Sequence, residues 1–442
     1  MKLSSSLAII AAQAAVVAAQ NATDMWPLST DPYFDFTLQE TLSMANGGGA
    51  STGEVLAAAA KITASDFESY YREFKFLADT IHATGTSSKS PVSRREAFFR
   101  SASYYRSADF YLHGNQSDPR IDTLWDSALA DFDAAMALLP VPGKRFNVTA
   151  KLSNLTMTVP IIFYAPAATT CNQKRPTILA GSGYDGSQEE LYHSIGRFVL
   201  DRGYNFVTYE GPGQPTVRRQ QNLGFGVASD WWDVVTPVVD YLEARRDVDM
   251  ERLALFGLSF GGLLAPRAAS REHRFKAVIA NDGMHDFAAA LEADLGGAMA
   301  VYDAGNKTEF DAIIDGLRFN ISLPAQYRWI FDQSLWSFDT VSAYQWLTEL
   351  KTFNTTQEMF DNITSPVFVA RGEDDVGTPG QPEQVAKMLG DKAYYHEFRA
   401  KLGAGLHCSM GAEAQVAQVA LDWLLGIFEN PGKTYPNGTV KG

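Results

Sequence analysis

From Arg175 onward the chain alternates short apolar runs with helix-compatible stretches, and this rhythm restricts the fold more than any other feature. The runs are Thr177–Ala180, Asn205–Tyr209, Leu253–Phe256, Ala277–Ala280, Val367–Ala370 and Tyr394–Phe398. Between and after them lie stretches such as Glu189–Arg202, Trp231–Arg246 and a final helix over Ala412–Phe428. Runs of this length with apolar residues at consecutive positions suit strands buried on both faces, and strands joined through helices run parallel. The predicted core is therefore an α/β fold with a mostly parallel sheet and helices on both sides. Such sheets collect their sites at the carboxyl ends of the strands. Asn147–Thr158 and Pro160–Tyr164 alternate apolar with polar residues and read as a leading hairpin.

One strand runs directly into Gly257-Leu258-Ser259-Phe260-Gly261-Gly262, and a helix-compatible stretch, Leu263–Ser270, follows. A serine on a sharp strand-to-helix bend lifts its oxygen above the sheet, and glycines two positions to either side let the backbone crowd without Cβ clashes. A serine hydroxyl is a weak nucleophile at neutral pH and needs a base. Of seven histidines, only His396 and His407 come late enough for the order serine, acid, histidine that this arrangement follows. His396 falls within an apolar run that would hold it in a strand. His407 ends Gly403-Ala404-Gly405-Leu406-His407, a loop able to carry an imidazole over the sheet. The acid is expected after the run ending at Ala370, where Glu373, Asp374 and Asp375 compete. A glycine (Gly372) three residues ahead selects Asp375, with Asp374 as the alternative; its task is to fix the histidine tautomer and stabilise the imidazolium.

An oxyanion hole needs two backbone N–H groups. Phe260 supplies one. The other is expected in Gly181-Ser182-Gly183-Tyr184-Asp185-Gly186, at Tyr184 or alternatively Gly183. No Gly-Lys-Ser/Thr follows these glycines, so they do not form a phosphate loop. Glu210-Gly211-Pro212-Gly213-Gln214 reads as a structural turn. Asp282, His285 and Asp286 read as a polar loop, with a metal site or a pocket lining as the alternatives; no metal and no cofactor is expected.

Ahead of the sheet, residues 21–140 are expected to form a helical domain. A flexible Gly47-Gly48-Gly49 run precedes three helices. The first opens on a capping box of Ser65 and Glu68, the second on one of Ser93 and Glu96, and the third spans Ile121–Leu139 and stops at Pro140. The core then occupies 141–285 and 360–430, with a tail over 431–442. Residues 286–359 show no strand alternation and carry many aromatics, among them Tyr327, Trp329, Trp336 and Trp346. This insertion is expected to lie as a helical lid over the strand ends.

The net charge of −14 disfavours nucleic acid and anionic membrane surfaces as partners and says little about the substrate; a small-molecule substrate is expected, and a homodimer stays open. Residues 1–20 read as a secretory signal: Lys2 is followed by an apolar run from Leu7 to Ala19 broken only by Gln13, too short for a comfortable membrane span. Nine glycosylation sequons, at Asn21, Asn115, Asn147, Asn154, Asn306, Asn320, Asn354, Asn362 and Asn437, fit passage through the secretory pathway and secretion. Cys171 and Cys408 are the only cysteines, so the fold is not built on disulfides. Sequence alone leaves open whether they pair.

Taken together, the elbow around Ser259, the Gly-Ser-Gly-Tyr-Asp-Gly, Glu-Gly-Pro-Gly-Gln and Gly-Leu-His-Cys segments, and the helical N-terminal region resemble the α/β-hydrolase superfamily. Within it they look like the branch that holds 2,6-dihydropseudooxynicotine hydrolase and fungal polyketide-processing hydrolases of pigment and mycotoxin pathways. The resemblance implies a Ser259–His407–Asp375 set beneath a helical lid, cleaving a C–C bond beside a ketone or a related acyl bond. The other readings are a secreted carboxylesterase on simple esters and a non-catalytic binding protein of the same fold.

Overall fold

The computed structural model describes residues 25–167 and 173–430. The signal-like segment, Asn21, Cys171, Asn437 and the tail from residue 431 lie outside the described residues.

Among the described residues five α-helices come first: α1 (Pro32–Ser43), α2 (Thr52–Ala59), α3 (Phe67–Ser87), α4 (Pro91–Asp109) and α5 (Arg120–Met136). The predicted capping boxes are displaced. Asp66, not Ser65, caps α3, its carboxylate accepting the N–H groups of Glu68 and Ser69, while Ser65 turns left-handed at φ 62°. Ser90, not Ser93, caps α4, because Pro91 fits the first helical position and starts the helix earlier. The third helix ends at Met136, short of Pro140. The glycine run is not free chain either: Gly47 and Gly49 are buried against His193, where a side chain at either would collide with the histidine.

The sheet follows: β1 (Lys144–Lys151), β2 (Thr156–Tyr164), β3 (Arg175–Gly181), then α6 (Arg197–Asp201), β4 (Asn205–Tyr209), α7 (Pro215–Gln221), α8 (Trp232–Glu243), β5 (Val248–Leu258), α9 (Gly261–Ala269) and β6 (Ala277–Asn281). The hairpin turns at residues 152–155, earlier than the sequence pattern suggested. Six helices separate β6 from the next strand: α10 (Phe287–Leu295), α11 (Ala298–Asp303), α12 (Lys307–Arg318), α13 (Ala325–Ser337), α14 (Ala343–Leu350) and α15 (Gln357–Asn362). The chain closes with β7 (Val367–Gly372), α16 (Gln381–Leu389), β8 (Ala393–Phe398) and α17 (Glu413–Glu429).

The strands order as β1-β2-β4-β3-β5-β6-β7-β8, antiparallel through the first three and parallel from β4 to β8. Alternate residues feed two cores, as the period of two requires. Leu179, Val207, Leu255, Val278 and Val369 face α8 and α9 on one side. Ile178, Phe206, Phe256, Ile279 and Phe368 face α17 on the other. A third core joins the N-terminal helices to the insertion, with Phe34, Tyr70, Phe74 and Tyr104 packed alongside Ala325 and Trp329 of α13. The insertion and the N-terminal helices thus form one apolar roof.

Candidate functional site

The elbow forms because β5 delivers its chain into a bend that leaves no room for a Cβ at Gly257 or Gly262. A Cβ on Gly257 would sit 1.9 Å from the Gly261 carbonyl oxygen, and one on Gly262 would sit 1.9 Å from that of Asp282. Ser259 itself is left-handed at φ 60°, a conformation that costs a non-glycine residue about 1–3 kcal/mol and persists where neighbours enforce it. Two short backbone bonds do so: the Ser259 N–H donates to Asn281 O (2.6 Å), and the Gly262 N–H donates to Ser259 O (2.6 Å).

His407 arrives from the loop after β8 and places Nε2 2.8 Å from Ser259 Oγ. Its Nδ1 lies 3.0 Å from Asp375 Oδ2. The three competing carboxylates separate cleanly. Glu373 pairs with Arg399 at 2.8 Å and accepts the Ala400 N–H; Asp374 is exposed; Asp375 is buried against the imidazole. Asp375 also accepts the Gly377 N–H (2.8 Å) and the Thr378 hydroxyl (2.7 Å). Burial raises its pKa, but the imidazole and these donors prevail and hold it down at about 2. Burial likewise disfavours a charged His407, yet the Cys408 sulfur and the Asp375 and Asp282 carboxylates hold the imidazole well above its usual 6.5. Burial lifts the Cys408 thiol to about 11, so at neutral pH the carboxylates carry that effect.

Across from His407, neither the Phe260 N–H nor those of Gly183 and Tyr184 donate to any group among the described residues. A Cβ on Gly183 would lie 2.7 Å from Ser259 Cβ and 3.0 Å from Phe260 N, so this loop crosses directly beside the serine. Its shape is braced from two sides. The buried Gln214 amide donates to Ser182 O (2.9 Å) and Gly183 O (3.1 Å). The Tyr184 hydroxyl donates to Ser334 Oγ (2.8 Å) and accepts from Trp346 Nε1 (3.1 Å), both on the insertion. The Glu210–Gln214 turn, legible only as punctuation, therefore shapes the site.

These groups open onto a cavity of about 240 Å³. Met284 and Phe287 line it behind β6, Trp329 and Ile330 of α13 roof it, and Tyr33 and Phe36 of α1 close the side next to His407. Phe36 stands 6.5 Å, ring to ring, from His407. Acids also line it, among them Asp35 and Glu40 of α1, Asp185 and Asp374; burial pushes Glu40 well above its usual range and Asp185 up to about 6. The wall supplied by α1 carried no motif. Its trace in the sequence is the aromatic spacing Tyr33, Phe34, Phe36 after the Asp31 cap, which reads as ordinary helix packing.

Asp282, His285 and Asp286 do not converge on a metal-ligand set. Asp286 caps α10 and the His285 N–H donates to Gln381. Asp282 turns the other way, to 3.1 Å from His407 Nδ1. Among the described residues, the grouping with ligand atoms close enough for a metal is Asp282, His407 and Cys408.

The arrangement can pass a proton from a serine hydroxyl to an imidazole backed by carboxylates, beside the N–H groups of Phe260, Gly183 and Tyr184, which no described group engages, and beneath a largely apolar roof. That is the equipment of nucleophilic acyl chemistry. Comparison with known proteins agrees. The sequence model of the prolyl oligopeptidase family matches residues 198–313. The chain is 32% identical to an alpha/beta hydrolase, psoB, of Aspergillus fumigatus over 70% of its own length and 71% of that protein. It is 27% identical to the 20-hydroxy-prefusarin hydrolase FUS2 of Gibberella moniliformis, over 90% of this chain and 96% of that one. Among solved structures, a 2,6-dihydroxy-pseudo-oxynicotine hydrolase superposes with a TM-score of 0.64 at 18% identity, over 89% of this chain and 97% of its own.

Proposed function

Since this chain belongs to the α/β-hydrolase family and is a serine hydrolase of bulky small molecules, we propose that it cleaves a C–C bond beside a ketone, or an acyl bond, in a polyketide-like metabolite. Ser259 is the nucleophile, His407 the general base and Asp375 the acid that orients it. The Phe260 N–H, with that of Tyr184 or Gly183, receives the developing oxyanion. His407 takes the Ser259 proton as the oxygen attacks the carbonyl carbon, then returns it to the leaving carbon or heteroatom. Water repeats the sequence on the acyl-enzyme and frees the acid.

The observation that carries this reading is the continuous line from Ser259 Oγ through His407 to Asp375 at 2.8 and 3.0 Å, opening into a cavity walled by Phe36, Phe287 and Trp329. Aromatic walls favour a large apolar substrate, and FUS2, matched over nearly its full length, is named a hydrolase of 20-hydroxy-prefusarin. The test is a panel of aromatic β-diketones and p-nitrophenyl esters turned over by wild type and by Ser259→Ala. Bulky ketones are consumed by wild type alone. Rapid turnover of short esters with β-diketones untouched identifies a simple carboxylesterase instead.

We further propose that the protein is secreted and glycosylated. Asn115, Asn147, Asn154, Asn306 and Asn354 are exposed and Asn320 and Asn362 half-buried, so each of these sequons is open to a glycan. Endoglycosidase treatment of protein from the culture medium lowers its mass stepwise; an unglycosylated protein retained in the cell contradicts the assignment. Among the described residues no helix is long and apolar enough to cross a membrane.

A further inference from the structure

His407 has a second carboxylate that the usual serine–histidine–acid scheme does not require. Asp282 directly follows β6, one strand nearer the nucleophile than Asp375, and is fully buried. Its Oδ2 lies 3.1 Å from His407 Nδ1, against 3.0 Å for Asp375 Oδ2. The same oxygen accepts the N–H of Cys408, and Oδ1 has no hydrogen-bond partner among the described residues. A fully buried carboxylate is costly unless it is paired, and here the pairing is with the His407 loop.

That loop needs holding. Cys408 and Ser409, the two residues after His407, are both left-handed at φ 57° and 53°, a conformation that non-glycine residues keep only under constraint. The end of β6 supplies the constraint. Besides the Asp282 contact, the Asn281 amide donates to Cys408 O (3.3 Å) and the Cys408 thiol donates to Asn281 O (3.4 Å). Asn281 O also receives the Ser259 N–H. One dipeptide, Asn281-Asp282, therefore ties the nucleophile's bend to the base's turn.

We propose that Asp282 is a second acid for His407, sharing the Nδ1 proton with Asp375 and clamping the imidazole through Cys408. The inference rests on His407 being the base. When the Ser259 proton moves to Nε2, the Nδ1 proton stays in place and the imidazolium faces two carboxylates rather than one. Of the two, Asp375 is the better solvated by donors and stays ionised. Asp282 is the more readily protonated, since burial and the charge of Asp375 both raise its pKa. The other groups that face His407 are the Cys408 thiol on its own turn, Asp374 beside Asp375, Glu40 of α1 and Asp185 after β3. Asp282 acts through the histidine and is a positioning residue.

The test uses Asp282→Asn, Asp375→Asn and the double variant in the full-length enzyme, with melting curves to check folding. An asparagine oxygen still accepts the Cys408 N–H, so Asp282→Asn removes charge and keeps the clamp. Its expected signature is an acid limb of kcat/KM displaced about one unit to lower pH, because imidazolium loses an attractive neighbour, with KM unchanged. Asp375→Asn is expected to lower kcat by about 10²-fold rather than the about 10⁴-fold seen where one acid serves alone. The double variant then falls about a further 10²-fold. An unmoved acid limb, or an Asp375→Asn enzyme already as inactive as the double variant, overturns the proposal. If Asp282→Asn does not fold, the low-field proton resonance of His407 Nδ1 in Asp375→Asn decides: it persists if Asp282 holds the proton, and its loss counts against the idea. Full activity in Ser259→Ala would sink both this inference and the reading beneath it; an inactive Ser259→Ala with an unaltered Asp282→Asn sinks this inference alone.

Discussion

The sheet and its roof handle the same cavity in opposite ways. At the carboxyl ends of β3, β5, β6 and β7, polar groups are fixed by short hydrogen bonds and by glycines with no room for a Cβ. Above them, α1 and α13 present Phe36, Trp329 and Ile330 to the cavity as apolar walls, with Asp35 and Glu40 of α1 as an acidic edge. The lower half is built to hold a few atoms within a fraction of an ångström, as bond making requires. The upper half is built to exclude water and accept a shape. Substitutions should therefore divide by region: those below change kcat or folding, those above change KM and substrate choice.

The largest expected effect lies below. Ser259→Ala should lower kcat by about 10⁴-fold or more, down to what the oxyanion donors and binding alone supply, without lowering the melting temperature. Gly262→Ala comes next. Its methyl group must displace the Asp282 carbonyl, destabilising the fold by about 2–4 kcal/mol in urea titrations; a neutral result would break the claim that this layer has no slack. Gln214→Ala removes the brace on the Ser182 and Gly183 carbonyls and should cost about 10- to 100-fold in kcat with KM little altered.

The roof gives the gentler contrast. Phe36→Ala should raise KM for a bulky aromatic ketone about tenfold while the kcat for p-nitrophenyl acetate stays within about threefold. Equal losses on both substrates would mean that α1 belongs to the reacting layer and would erase the distinction.

How much of this was readable in the sequence follows the same division. Ser259, His407 and Asp375 were legible because strand ends, a tight bend and a late loop leave local signatures, and the order along the chain removes most alternatives. The sheet was legible from its apolar runs, with β4 matching residue for residue over Asn205–Tyr209. The roof was legible only in part: residues 286–359, with Trp329, were expected as a lid, but the share of α1 was not, because Tyr33 and Trp329 meet only through folding across nearly three hundred residues, and aromatic residues on a helix look the same whether they face a core or a substrate. Asp282 sat in plain view at a strand end, but its direction depends on the left-handed turn at Cys408, which no residue there announces. The capping serines misled for a simpler reason: Asp66 and Pro91 compete for the same positions and fit them better.

Intact-mass analysis after reaction with a fluorophosphonate probe tests the central claim most directly. The account predicts a single adduct, mapped by peptide sequencing to Ser259 and absent in His407→Ala. An adduct on any other residue, or undiminished labelling without His407, would contradict it.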